Sequence, residues 1–343
     1  MARDLPDHVN GNGCLSTRIR ITIMDIYGLF PHFKLNRPLN ERERATQLDQ
    51  KVRLDFETDQ LMPDLKVIEI NSHYLETVDK YYSSKGYLSF IASVIGFMML
   101  GAYLKMITSS ILTISSNENI LEEILGLLVL GIIFVPTGIW MLFLLKKEWF
   151  AWTHYPIRFD RKNQLVHAHR HDGSVFSARW DEIFFTTAAM YGSDCYISGH
   201  VLAEDRVTIV DTFCLPASHN SIPALKAHWE FVRRYMEEGP EGMQSRISFC
   251  LPIAEKKESY GFSFFYLMTL YNGAPILLLP FLAPLAFLFS IPRYIGILTS
   301  RRPVWSDEIQ AQCRTEKDDP YRLDASMNPK SLWGTFFGKT QKP

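Results

Sequence analysis

Residues 124–145 read ILGLLVLGIIFVPTGIWMLFLL, 22 positions without a charge. At 1.5 Å per residue a helix of this length covers about 33 Å, the thickness of the apolar core of a bilayer. Fifteen of the positions are Leu, Ile, Val or Phe, and their summed preference for lipid outweighs Gly126, Gly131, Pro136 and Gly138. The stretch is expected to cross a membrane rather than to lie in the core of a large soluble protein.

Moving outward, residues 87–107 (YLSFIASVIGFMMLGAYLKMI) form a second expected span. Lys105 lies near its end, where a long stem carries the ammonium toward the headgroups. Residues 108–123 (TSSILTISSNENILEE) join the two as a short loop, and Ala92 and Gly96, four apart, offer a face for close helix packing. The loop has no Lys or Arg, whereas Lys80 and Lys85 precede the first span and Lys146 and Lys147 follow the second. By the positive-inside rule both flanks are cytoplasmic and the loop is outside.

A third apolar block, residues 260–299, is interrupted by Asn272, Gly273, Pro275, Pro280, Pro284 and Pro292. It is read either as an interfacial stretch (260–271, YGFSFFYLMTLY) leading into one kinked span, or as a hairpin turning near Asn272-Gly273. Lys256 and Lys257 before it, Arg293 near its end and Arg301 and Arg302 after it are all inside-type signals, which favours the hairpin and four membrane segments. Prolines at that depth require neighbouring helices to satisfy the freed carbonyls. No charge sits centrally in the spans, so nothing marks a transport pathway.

Between the second and third blocks the period changes to two. YPIRFD (155–160), LVHAHRH (165–171) and SVFSARW (174–180) read as antiparallel strands, with Asp172-Gly173 supplying a tight turn. CYISGHVL (195–202) and RVTIVDTFCL (206–215) make another hairpin. A helix follows, with Ser221 as N-cap, Pro223 in the first turn and a stop at Gly239-Pro240. Its stripe of Ile222, Leu225, Trp229, Val232 and Met236 suits packing on a sheet. Trp180 is read as core. This element order resembles the pleckstrin-homology-like architecture of some bacterial membrane proteins, which implies a module that binds a peptide, a protein or a lipid headgroup.

The mean hydropathy of −0.04 conceals this division into phases. A formal net charge of −1 gives no basic face for nucleic acid. Asp4, Pro6, Asp7 and Asn10 interrupt any apolar signal-peptide core, so no cleaved leader is expected. The five cysteines (Cys14, Cys195, Cys214, Cys250, Cys313) are scattered and read as reduced cytoplasmic thiols. The first 85 residues carry balanced charge, as in NERERATQLDQKVRLDFETD (40–59), and are expected to hold short strands or helices near the membrane. After Arg302 come a short helix (306–313) and a polar tail, whose Trp333, Phe336 and Phe337 touch either the interface or the domain.

One constellation invites chemistry. His167, His169 and His171 alternate on an expected strand and so point the same way, a pattern that can hold a metal. Same-face residues are about 6.6 Å apart along a strand, so three rings would have to lean inward to share one ion. The favoured reading is a solvated strand face, with a pH-sensing interface as a third. No metal ligand, cofactor site or catalytic residue is therefore assigned. GxSxG, a Gly-rich phosphate loop with Lys, HExxH and CxxC are all absent, and Asp211, Thr212 and His228 form a triad only on paper.

The stretches NSHYLETVDKYYSSKG (71–86), PIRFDRKNQLVHAHRHDGSVFSARWDEI (156–183) and RRPVWSDEIQAQCRTEKDDPY (301–321) resemble an uncharacterised family of bacterial multi-pass membrane proteins. Its members tend to be encoded near type VI secretion effector genes, and the resemblance transfers no functional residue. The expected fold is thus an α+β membrane protein of transmembrane helical hairpins with an inserted cytoplasmic antiparallel β domain closed by a C-terminal helix. Its parts are a cytoplasmic region at 1–85, a hairpin at 86–147, the β domain at 150–250, a Pro-rich membrane segment at 260–299 and a cytoplasmic tail at 300–343. The implied role is a non-enzymatic inner-membrane protein that contacts lipid and binds a secreted effector or another secretion-system protein. A membrane-anchored sensor or scaffold is the alternative.

Overall fold

The computed structural model describes residues 28, 32–114, 120–189, 195–271, 276–316 and 318–336. The residues read for a leader, Cys14, Asn272, Gly273, Pro275 and Phe337 lie outside them. In chain order the strands are β1 (Arg37–Pro38), β2 (Gln47–Leu48), β3 (Val67–Ile70), β4 (Tyr74–Thr77), β5 (Ile157–Asp160), β6 (Leu165–His169), β7 (Val175–Arg179), β8 (Ile183–Ala189), β9 (Cys195–Leu202) and β10 (Thr208–His219). The helices are α1 (Glu41–Ala45), α2 (Tyr87–Ile114), α3 (Ile120–Glu148), α4 (Ile222–Glu237), α5 (Tyr260–Thr269), α6 (Leu279–Thr299), α7 (Asp307–Gln312) and α8 (Trp333–Phe336). They divide into a β-rich unit, made by the chain up to Tyr82, His154–Glu255 and everything from Pro303, and a helical unit of Ser83–Thr153 and Lys256–Arg302.

The β-rich unit holds two five-stranded antiparallel sheets, ordered β3-β4-β5-β6-β7 and β1-β10-β9-β8-β2. Turn chemistry explains the hairpins. Gly173 takes φ +91° between β6 and β7, and the Asp172 carboxylate accepts from the Ser174 N–H at 2.8 Å. Between β5 and β6 Gln164 takes φ +53°, and Asp160 accepts from the Asn163 N–H at 3.0 Å. The helix read from Ser221 to Gly239 is α4, and Gly239 follows it at φ +108°. Its apolar stripe meets the core as expected: Trp229 is buried, stacked on Trp180 at 5.7 Å and tilted on Phe185 at 4.8 Å. Trp180 is fully buried and its Nε1 donates to Glu237 at 2.8 Å.

This unit draws on three stretches of chain, where the sequence reading confined it to 150–250. β3 and β4 complete the first sheet, Tyr74 to Thr77 pairing with Asp160 to Ile157, and β1 and β2 edge the second. The tail joins it too. Leu323 exchanges backbone hydrogen bonds with Ile70 at 2.8 and 3.0 Å, and Asp319 accepts from Ser72. Short strands of mixed polarity carry too weak a period to announce such pairings.

Among the described residues the helical unit contains three helices long and apolar enough to cross a membrane, with their stretches at Tyr87–Leu112, Ile124–Glu148 and Leu279–Thr299. α2 and α3 pack as a hairpin. Gly96 lies against Met141, Ala92 is fully buried, and Gly131 leaves room for the Tyr103 hydroxyl. The Glu148 carboxylate, at the end of α3, accepts from the Gly86 and Ser89 N–H groups (3.1 and 2.9 Å) and the Ser89 hydroxyl (2.5 Å), capping the start of α2. Outside the apolar stretches, Lys85 donates to the Trp152 carbonyl at 2.9 Å.

The third apolar block holds two helices. Its first half forms α5, ten residues or about 15 Å, too short to cross a bilayer core, and its second half is α6, which is long enough. α5 packs on α6: Phe264 meets Phe287 edge-on at 6.4 Å and Ser290 bonds Tyr260 at 3.1 Å. At its base Arg293 and Glu258, both fully buried, bond at 2.8 and 3.1 Å.

Candidate functional site

The histidine strand shows how the site is built. Side chains on β6 alternate, so Val166 and Ala168 enter the main core while His167 and His169 take the opposite face. Across that face the register aligns Glu76, Arg158, His167 and Ser177 on four successive strands. Arg158 bonds Glu76 at 2.5 and 2.9 Å, and the other Glu76 oxygen accepts from Trp305 Nε1 at 3.1 Å. The segment carrying Trp305, Ile309 and Cys313 covers the row together with Tyr74.

The expected solvated face is thus a buried one. His167 and His169 are 1% and 7% exposed, with Trp305 edge-on to both rings at 6.4 and 6.2 Å. Cover from residues far along the sequence turns a polar strand face inward. The three imidazoles do not converge. His171 lies past the end of β6, edge-on to Tyr155 at 4.4 Å and Tyr81 at 5.5 Å. Burial lowers the His169 pKa, against its hydrogen bond to the Arg170 carbonyl.

His167 instead meets two residues that the sequence did not single out as ligands. Its Nε2 lies 4.0 Å from Asp160, and the Cys313 thiol donates to the same carboxylate at 3.5 Å. One donor atom from each of Asp160, His167 and Cys313 falls within 4.8 Å of the others, and all three residues are buried. His167 Nδ1 bonds Ser177 at 2.6 Å. Burial, and then the Asp160 carboxylate, push the Cys313 thiol up to about 11. Burial alone would raise Asp160, but His167, Asn163 and the thiol hold it below the ordinary value. No spacing rule could have found this trio, since Cys313 arrives from a different segment.

Beside the histidine turn lies a cavity of roughly 600 Å³ whose lining includes Tyr81, Tyr155, His171, Arg170, Asp211 and Phe213. Arg170 pairs with Asp211 and lies over Phe176 at 5.0 Å. Asp79 also lines the cavity, but it accepts from the Tyr155 and Tyr81 N–H groups at 2.8 and 2.7 Å, and burial raises its carboxyl above the ordinary value. Aromatic walls with one matched ion pair suit binding of a side chain or small polar group.

The paper triad comes apart. Asp211 is held by Arg170, Thr212 bonds His200 Nδ1 at 2.8 Å, and His228 bonds the Met62 carbonyl at 2.8 Å and Asp64 at 3.2 Å. His219 also contacts Asp64, at 2.9 Å, so this carboxylate draws together segments around residues 64, 219 and 228.

Comparison with curated proteins and with solved structures found no match. A family model does match residues 135–317, from the second apolar helix through the β-rich unit to α7 and a few residues beyond. As that stretch is more than half of the chain, the protein belongs to the family of unknown function DUF6708.

Proposed function

We propose that this protein is a non-enzymatic integral protein of a bacterial inner membrane, with its β-rich unit in the cytoplasm as the partner-binding part. The observation that carries the reading is the contrast between the units. In the most apolar windows of α2 and α3 only 6% of residues are buried, and Phe97, Met98, Leu128, Ile132 and Leu142 stand exposed, whereas the β-rich unit has a continuous buried core. Helices of that kind need lipid as their solvent.

Connectivity supports an even number of passes. The chain leaves the β-rich unit after Tyr82 and after Glu255 and rejoins it at His154 and at Pro303. A hydrogen-bonded β unit stays on one side of a bilayer, so each apolar excursion goes out and comes back. For the second, α6 is one leg. α5 begins the other. The Lys and Arg flanks support a cytoplasmic position for the β-rich unit.

The family resemblance of the three stretches adds the context of type VI secretion. The protein is then an accessory or immunity protein that neutralises or escorts a membrane-acting effector. A second reading, a membrane-anchored sensor or scaffold, is favoured by topology. After the helical hairpin, β5 to β7 in one sheet and β8 to β10 in the other run as antiparallel meanders and are followed by α4, the element order of a pleckstrin-homology-like module that reads lipid or protein partners. Reporters test the anchoring: fusion after Pro343 is expected to be active in the cytoplasm and insertion between residues 115 and 119 in the periplasm. Recovery of the full chain as a monodisperse protein without detergent would end the reading. Co-expression with a neighbouring effector separates the roles. Growth rescue with co-purification supports immunity, and lipid or protein capture without rescue supports the scaffold.

A further inference from the structure

We propose that Asp160, His167 and Cys313 form a binding site for one divalent metal ion of the zinc class, which fastens the segment after Pro303 to the sheet of β3 to β7. The first observation is the donor set. An imidazole, a carboxylate and a thiol, one from each residue, lie within 4.8 Å of one another in a buried place. The second is independent of it: His167 Nε2 is buried and has no hydrogen-bond partner among the described residues, although it is aimed at Asp160 from 4.0 Å. That distance is too long for a hydrogen bond. A purely structural cluster would leave this nitrogen unsatisfied, which native interiors avoid.

The geometry is close to what an ion needs. Zinc takes sulfur at about 2.3 Å and nitrogen or oxygen at about 2.0–2.2 Å, so tetrahedral donors stand roughly 3.4–3.6 Å apart. Cys313 and Asp160 are already 3.5 Å apart, and the His167 to Asp160 distance of 4.0 Å must close by about half an ångström. The outer groups are those that orient ligands. Ser177 bonds His167 Nδ1 at 2.6 Å, which leaves Nε2 as the donor, and Asn163 bonds Asp160 through its N–H at 3.0 Å and its side chain at 2.7 Å. Arg158, the neighbouring cation, is matched by Glu76 at 2.5 Å.

Charge and softness select the ion. A thiolate and a carboxylate neutralise a dication, and sulfur with imidazole suits zinc and its neighbours rather than magnesium or calcium. Without metal the thiol keeps its proton. On binding, the S–H bond breaks, a metal–sulfur bond forms and one proton leaves to solvent.

The test uses the full chain in detergent, stripped by chelation and titrated with Co²⁺. One equivalent is expected to bind with thiolate-to-cobalt charge-transfer absorption, and Zn²⁺ is expected to displace it. Cys313→Ala is expected to abolish that band and Cys250→Ala to retain it. Asp160→Asn, nearly isosteric, serves should Cys313→Ala not fold, with affinity expected to fall by about 100-fold or more. A folded wild-type chain that shows no such band, or a Cys313→Ala chain that keeps it, overturns the proposal.

Discussion

Removing one partner of the Glu258 and Arg293 pair is expected to be among the most damaging single changes in the helical unit. Both residues are fully buried. Glu258 accepts from Arg293 at 2.8 and 3.1 Å and from the Ser263 hydroxyl at 2.7 Å, while Arg293 also donates to the Lys85 carbonyl at 3.2 Å and lies over Tyr266 at 5.0 Å. Glu258→Leu leaves the guanidinium buried without its counter-charge, a change that costs about 3–5 kcal/mol. At roughly 2–4 °C per kcal/mol this lowers the melting temperature by about 6–20 °C. Arg293→Met strands the carboxylate by a comparable amount. The double variant replaces both charges with apolar groups of similar size and is expected to recover much of the loss, because charges that are absent need no solvation. The assay is thermal unfolding of all four chains in one detergent. A coupling energy beneath about 0.5 kcal/mol, the scatter of independent sites, would refute the reasoning.

Gly86→Ala acts at the same place by another route. Gly86 has φ +98°, and an added Cβ would meet Arg293 Cβ at 2.5 Å and Cα at 2.7 Å, so a loss of about 2 kcal/mol or more is expected, and an unchanged melting temperature would contradict it. Burial brings the His200 imidazole down to about 4 from 6.5, despite the facing Glu43; the unfolded chain then binds the extra proton first, so this contribution is complete above pH 6.5 and is lost as pH falls toward about 4. His200→Gln is expected to flatten that part of the stability profile, and an identical slope in both chains would speak against it. A chain ending at Arg302 lacks Trp305 and Ile309, whose burial is worth about 5–10 kcal/mol together, as much as a whole domain's typical net stability. Its β-rich unit should become protease-sensitive, and full resistance would show that the cover is dispensable.

What the sequence disclosed and what it hid follow from the range of the forces involved. The apolar stretches at 87 and 124, the hairpins around Asp172-Gly173 and around residues 203–205, and the helix from Ser221 are local signals, carried by periodicity and turn residues within a few positions. The third apolar block is also a local signal, and its two helices α5 and α6 flank its Gly-Pro-rich stretch. The non-local facts were invisible. Nothing near His167 tells that Trp305 and Cys313 cover it, so the strand read as solvated. Nothing near Glu69 or Glu76 tells that β3 and β4 belong to a sheet whose next strand begins at Ile157.

That separation has a consequence for how the molecule is made. β4 cannot find its neighbour β5 until α2 and α3 have been synthesised, and the face with Glu76, Arg158 and His167 remains open until Trp305 follows α6. The polar row is therefore wet during synthesis and becomes dry only at the end. Sheets that close over such sequence distances fold slowly. A row of Glu, Arg and His is better suited to that interval than an apolar one, which would expose sticky strand surface while the helices were still being placed. The same polarity then asks for partners once the cover closes. Glu76 satisfies Arg158 and Trp305, and Ser177 satisfies one nitrogen of His167. The other nitrogen has no hydrogen-bond partner among the described residues once the cover closes.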